Sequence, residues 1–270
     1  MQNGADEPER VDYHPPSTWG SDIQVLKSMI FADVKGDTQQ ERLESFYVSQ
    51  ADLYDSYRHR MLHGRFPMIN SMPAPKGGVW VDIGGGTGSN LEFFGSNLNH
   101  FSKVVVLDLC EALCNTAQKR VNAKGWNNFV DVVVGDACDF ECPGLPATET
   151  VDVVTFSYAL TMIPDWRKAI KNAFRLLKPG GHIAVCDFTV SKDQWMGMGD
   201  FWTWVFAHDH VHLRKEHIPT LQAAFTQVSL DAGFGEFPYV PPCLKCAWYA
   251  FVGKKTLKSC PPLDGEEVNR

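Results

Sequence analysis

The sequence predicts an α/β protein built on a doubly wound, mostly parallel sheet, and three observations carry that prediction. Five short runs between residues 79 and 188 are nearly all apolar, as strands covered on both faces must be. Amphipathic stretches of helical spacing separate them, and strands alternating with helices imply right-handed crossovers between parallel neighbours. A glycine-rich loop, Gly84-Gly85-Gly86-Thr87-Gly88, follows directly on the first run. Sheets of this kind bind ligands there, at the carboxyl ends of their strands.

In chain order, residues 1–18 are polar and proline-bearing and are expected to form a flexible tail. Residues 19–75 read as an N-terminal helical cap. Apolar residues recur at helical spacing over 21–70, enough for two or three helices, until Pro73 and Pro75 end them. The main domain spans 76–255, with strands at 79–83, 103–108, 129–134, 151–156 and 182–188. Helices fill the gaps at "NLEFFGSNL", "CEALCNTAQKRVNAKG" and "DWRKAIKNAFRLLKPGG", the last closing on a Pro-Gly-Gly stop. Residues 191–233 are expected to be a helical insertion on the substrate side, and 256–270 a second flexible tail.

Composition removes several classes of function. The 270 residues carry a net charge of −7 with scattered basic residues, which is not the footprint of a nucleic-acid binder. No apolar run approaches the roughly 20 residues needed to cross a bilayer, and the first residues lack an apolar leader core. The expectation is an intracellular protein, cytoplasmic or peripheral on an internal membrane, such as the endoplasmic reticulum of a eukaryote. Of eight cysteines, Cys243 and Cys246 form a C-x-x-C, but no second pair completes a zinc site, so reduced thiols and no metal are expected.

The loop can be tested against known phosphate cradles. A dinucleotide fingerprint wants a third glycine where Ser89 stands, and a triphosphate loop wants a lysine that is absent between Lys76 and Lys103. What remains is Asp82 at the end of a strand, then Gly84, Gly86 and Gly88, which let the backbone approach a ligand, then a helix start. Asp108 ends the second strand, placed to bind both hydroxyls of a ribose, with Leu109 beside it. Asp136 and Ala137 follow the third strand, where a carboxylate can accept from an exocyclic adenine amine, and Ser157 follows the fourth.

These marks, in this order, resemble the class I S-adenosylmethionine-dependent methyltransferases, a Rossmann-like family. The likeness runs over residues 76–190 and includes "FSYALTMIPDW" and "LLKPGGHIAVCDF". It implies S-adenosylmethionine as the cofactor and a methyl transfer as the activity.

The flanks resemble a narrower group, the N-methyltransferase half of betaine lipid synthase. The likeness rests on Tyr54-Asp55-Ser56-Tyr57-Arg58, then Gly64-Arg65, and on Asp209-His210-Val211-His212-Leu213, then His217, Pro219 and Leu221. His210 departs from the small residue usual in bacterial members. The resemblance implies stepwise methylation of the amine of diacylglyceryl-homoserine, a lipid substrate at a membrane surface; the alternatives are methylation of a small soluble amine such as phosphoethanolamine or of a quinone, and a cofactor-binding regulator without turnover. It also implies a fused or separate aminocarboxypropyl transferase that makes the precursor.

In-line transfer from a sulfonium needs positioning and a base rather than a strong acid. Asp209 and His212 are candidate proton acceptors, and Tyr54 completes the candidate catalytic set. Aromatic faces attract quaternary ammonium groups, which singles out Tyr54, Tyr57, Tyr158, Trp202 and Phe206, with His208 and His217 as further substrate contacts. Core packing suits Trp202 and Phe206 equally well, and the histidines suit a solvated helix end. Arg58 and Arg65 are candidate carboxylate clamps, for the cofactor's methionine moiety or for the homoserine.

Overall fold

The structure is a computed structural model that describes residues 7–14, 36, 38–47, 59–191, 194, 197–208, 211–241 and 243–263, with the side chains of 45–47 and 207–208 outside that set. Seven strands form one sheet. They are β1 (Val79–Ile83), β2 (Lys103–Asp108), β3 (Val130–Val134), β4 (Val151–Ser157), β5 (Leu177–Thr189), β6 (Thr226–Gly235) and β7 (Cys246–Lys254). Their spatial order is β3-β2-β1-β4-β5-β7-β6. The first five are parallel, and β7 runs antiparallel between β5 and β6. The chain order reverses between β1 and β4, and that switch point opens a crevice at the strand ends.

Six described helices flank the sheet: α1 (Gln39–Tyr47), α2 (Arg65–Ser71), α3 (Glu111–Lys124), α4 (Trp166–Leu176), α5 (Met198–His208) and α6 (His217–Ala224). Two apolar layers result, because successive strand residues point to opposite faces. Trp80 packs among Phe94, Phe101 and Val104 on one face, while Val81 and Ile83 meet Trp166, Ile170 and Phe174 on the other. In α4 the buried set Trp166, Ala169, Ile170, Ala173 and Phe174 has a helix's i, i+3, i+4, i+7, i+8 spacing. Its Lys168 is exposed.

Several expectations are corrected. The stretch after the glycine loop is a 3₁₀ segment, Ser89–His100, kinked at Gly95, whose φ of 51° and ψ of −126° interrupt any regular helix. The insertion expected to stay helical to residue 233 turns into β6 at Thr226, and the sheet gains two strands beyond the five read from sequence. The first tail is docked where it is described: Val11 N–H donates to the Phe93 carbonyl at 2.8 Å, and Arg10 donates to the Met72 carbonyl at 2.7 Å. At the other end, Leu263 is buried.

Candidate active site

The glycine loop leaves β1 at the crevice and is shaped by backbone bonds to its neighbour. Gly84 and Gly85 N–H both donate to the Leu107 carbonyl, at 2.7 and 3.1 Å. Gly84 has φ +65°, and a Cβ there would stand 2.5 Å from the Ala159 Cβ, so both conformation and space require glycine. Gly86 has φ +55° but an open surround, with no atom nearer its would-be Cβ than Leu113 Cδ1 at 3.9 Å. The space over Gly86 belongs to the cleft.

That cleft gathers residues from the carboxyl ends of β1 to β4. Gly84, Gly86, Asp108, Leu109, Asp136, Ala137, Ser157, Tyr158 and Arg65, all singled out in the sequence, line it. Asp108 Oδ2 accepts from Gly86 N–H and Oδ1 from Cys110 N–H, each at 2.9 Å, which fixes the carboxylate at the cleft wall. Burial pushes its pKa up, opposed by these N–H groups. Asp136 Oδ1 accepts from Cys138 N–H at 2.8 Å. Behind it, Asn172 of α4 donates to the Ala137 and Asp139 carbonyls and holds that loop against the sheet.

Beneath the loop runs a polar chain that sequence reading missed. Trp80 Nε1 donates to Thr155 Oγ1 at 2.8 Å, Thr155 Oγ1 to Asp82 Oδ1 at 2.5 Å, and Asn90 Nδ2 to Asp82 Oδ2 at 2.9 Å. Arg65 then donates to Asn90 Oδ1 from Nε and Nη2 and to Ser89 Oγ at 2.6 Å. Asp82 is fully buried and raised to about 6, chiefly by desolvation, against hydrogen bonds from Thr155 and Asn90 and the nearby Arg65 charge.

Expected contacts that the structure places elsewhere can now be named. Asp82 is behind the loop and off the cleft wall, because its side chain shares the Trp80 face of β1. Gly88 also leaves the wall: a Cβ there would lie 3.4 Å from the Ala117 Cβ, so its role is close packing on α3. Trp202 is core, its Nε1 donating to the Lys245 carbonyl and its ring packed on Phe206 and Phe237. His217 is fully buried against Trp166, ring centroids 4.6 Å apart, on the opposite face of the sheet from Trp202. His212 is exposed, and its backbone N–H donates to the Thr161 carbonyl at 2.8 Å. Tyr54, Tyr57, Arg58 and Asp209, and the side chain of His208, lie outside the described residues.

The cleft also has walls that no sequence signal marked. Gln39 and Leu43 of α1 lie across it, and Gln39 Nε2 donates to the Met162 carbonyl at 2.8 Å. Glu44 of the same helix caps α3, accepting from Glu111 and Ala112 N–H. Leu62, Met162 and Ile163 complete an apolar side. Tyr158 holds an unusual φ of +54°, and its hydroxyl accepts from Gly64 N–H at 3.2 Å.

A parallel sheet with one antiparallel strand next to its far edge, a glycine loop after β1 and carboxylates after β2 and β3 together define the class I methyltransferase fold. Residues 54–230 match the family model described as a methyltransferase domain, and the chain belongs to that family. It is 26% identical over 164 residues to the ubiquinone/menaquinone biosynthesis C-methyltransferase of Hydrogenovibrio crunogenus, a match covering 59% of this chain and 63% of that one. Its fold is similar to a geranyl diphosphate methyltransferase solved with S-adenosylmethionine (TM-score 0.57, 13% identity, 75% of this chain and 91% of that one). It is also similar to the Haemonchus contortus phosphoethanolamine N-methyltransferase 2 (TM-score 0.58, 16% identity, 82% and 61%).

Class I methyltransferases use S-adenosylmethionine, and the residues present fit it. Gly86 leaves ligand space, Asp108 and Asp136 offer acceptors, and Leu109, Leu113 and Ala137 offer apolar contact. Bound there, the cofactor supplies a methyl group on a sulfonium. Among the described residues no helix is long and apolar enough to cross a membrane.

Proposed function

We propose that the chain N-methylates a lipid headgroup, converting the amine of diacylglyceryl-homoserine in three rounds to the trimethylated betaine lipid. The flanking elements support this reading more than the core does, since the core is common to the whole family. One observation supports it: the Val211-His212-Leu213 part of the flank is hydrogen-bonded to the turn that lines the cleft. Val211 is buried, and His212 N–H bonds to Thr161, inside the turn whose Tyr158, Ala159, Met162 and Ile163 line the wall. The acceptor side is otherwise apolar, through Leu43, Leu62, Met162 and Ile163, which suits a nitrogen that must lose its hydration before attack.

In this reading His212 and Asp209 take the proton shed in each round, directly or through water. Tyr54 and Tyr57 face the cation that accumulates, and Arg58 and Arg65 serve the two carboxylates. Phe201 and Trp204 on α5, 38% and 76% exposed, are the aromatic rings we assign to the membrane surface, and an aminocarboxypropyl transferase is the partner that supplies the precursor.

The likeness to a quinone C-methyltransferase favours a second reading, ring methylation of a prenylated quinol. Labelled S-adenosylmethionine offered with diacylglyceryl-homoserine vesicles, phosphoethanolamine or a prenylated quinol separates the possibilities. Mass spectrometry should find mono-, di- and trimethylated lipid, and His212→Ala should lose about 10²-fold or more in turnover with cofactor affinity retained. Label confined to the quinol ring or to phosphocholine-type products would overturn the lipid reading.

A further inference from the structure

Asp187 is a buried acid with no part in the site as described so far. It lies on β5, and all its side-chain partners are at the ends of β4 and β5. Oδ2 accepts from Thr161 N–H at 3.0 Å, and Oδ1 accepts from Thr161 Oγ1 at 2.7 Å and from Phe188 N–H at 2.8 Å. Thr161 is equally buried, and its carbonyl accepts from His212 N–H. The turn that Thr161 belongs to starts at Tyr158, held at φ +54°, and supplies Tyr158, Ala159, Met162 and Ile163 to the cleft wall. A strained turn of this kind keeps its shape only when its surroundings over-determine it.

We propose that Asp187 and Thr161 are a positioning pair: the ionised carboxylate, gripping both the backbone N–H and the hydroxyl of Thr161, fixes the cleft wall and thereby sets cofactor affinity without touching the ligand. The pair also ties the His212 segment to that wall through the Thr161 carbonyl. Burial raises Asp187 to about 7, against the hydrogen bonds of Thr161 and Phe188. The groups facing it do not titrate nearby: Tyr249 and Cys246 on β7, Cys186 on β5 and Tyr158 in the turn are all pushed upward by burial. His217 of α6, beside Tyr249 and influenced by Arg167 and Arg214, is held down at about 3. A protonated Asp187 turns one acceptor into a donor; the Thr161 hydroxyl can answer it only by reversing its role, and Oδ1 no longer accepts from the Thr161 hydroxyl and Phe188 N–H together, so the grip on the turn weakens.

The experiment is calorimetric titration with S-adenosylmethionine from pH 5.5 to 8.5, paired with amide hydrogen exchange. Wild-type affinity should weaken as pH falls through about 7. Asp187→Asn should bind about tenfold more weakly at pH 8 and lack that step. Thr161→Val, which keeps the volume, should behave like Asp187→Asn, and Thr161→Ser should restore wild-type binding. Amides of Thr161, Met162 and Ile163 should lose protection in the two weak variants while those of Gly84 and Gly88 keep it. Wild-type affinity and protection in Thr161→Val would overturn the proposal. Should both variants unfold, wild-type exchange decides it: protection of the turn at pH 6 equal to that at pH 8, after correction for intrinsic rates, rules the pair out.

Discussion

His217 shows how a single buried ring can tie the fold to pH. Among the described residues its two ring nitrogens have no hydrogen-bond partner, and desolvation holds it at about 3 against an ordinary 6.5. Between those values the unfolded chain binds the proton and the native one does not, so this group's contribution rises with pH and is lost as pH falls below 6.5. At pH 5 the loss is about 2 kcal/mol relative to pH 7.5. Asp187 and Asp82 are raised instead and work in the opposite sense, so the comparison must be between variants. His217→Phe keeps a ring against Trp166, and its stability advantage in urea unfolding should grow by about 2 kcal/mol from pH 7.5 to 5. An advantage that stays constant would disconnect this ring from the pH response. The cleft positions of Gly84, Gly86, Asp108 and Asp136 were legible because each sits at a fixed offset from a strand end. Asp82 was misplaced because strand alternation turns it under the loop, and His217 because a cluster of histidines in sequence says nothing about which one is buried.

Among the elements, the glycine loop and the turn after β4 are fitted to each other. Gly84→Ala puts a methyl 2.5 Å from the Ala159 Cβ and forces an L-residue to φ +65°, the second alone costing about 1–2 kcal/mol. S-adenosylmethionine affinity should therefore fall tenfold or more in Gly84→Ala and recover in part, never fully, when Ala159→Gly removes the clash. Equal affinity in the single variant and the wild type, measured by calorimetry, would contradict the contact. β1, β2 and β4, and the second half of β5, were legible to within a few residues because burial on both faces leaves an unbroken apolar run, while the edge strand β3, mostly exposed or half-buried, showed through its valines. β6 was not legible, although Val228, Leu230, Ala232 and Phe234 alternate with Ser229, Asp231 and Gly233: nine of its ten residues are exposed or half-buried, and the expected helical insertion to residue 233 ran over this period-2 signal. The N-terminal helical cap was expected, but the contacts that seat it were beyond reach for another reason. α1 joins the cleft through Gln39 and Glu44, polar contacts to residues 123 and 67 positions away, and no local pattern encodes such a distance.

For the whole molecule, the position of β7 has a consequence for the order in which the chain can assemble. Among the described residues β6 hydrogen-bonds in the sheet only to β7, yet it is made first, and β5 must keep its outer edge bare until residues 246–254 arrive. A chain shortened after Val240 should therefore lose two strands rather than one, exposing the edge of β5 and the part of the core that Tyr249 and Phe251 otherwise cover. Pulse proteolysis should find residues 226–235 cut as readily as an unfolded segment in that form, and resistance there would mean β6 has another support. On a ribosome the same geometry means that the cofactor-binding half, β1 to β4, can close early, while the anchor of the substrate side waits. A nascent chain halted before Cys246 would present an unpaired parallel edge to its surroundings, and that interval is when this protein is most open to chaperones and to mispairing with its own copies.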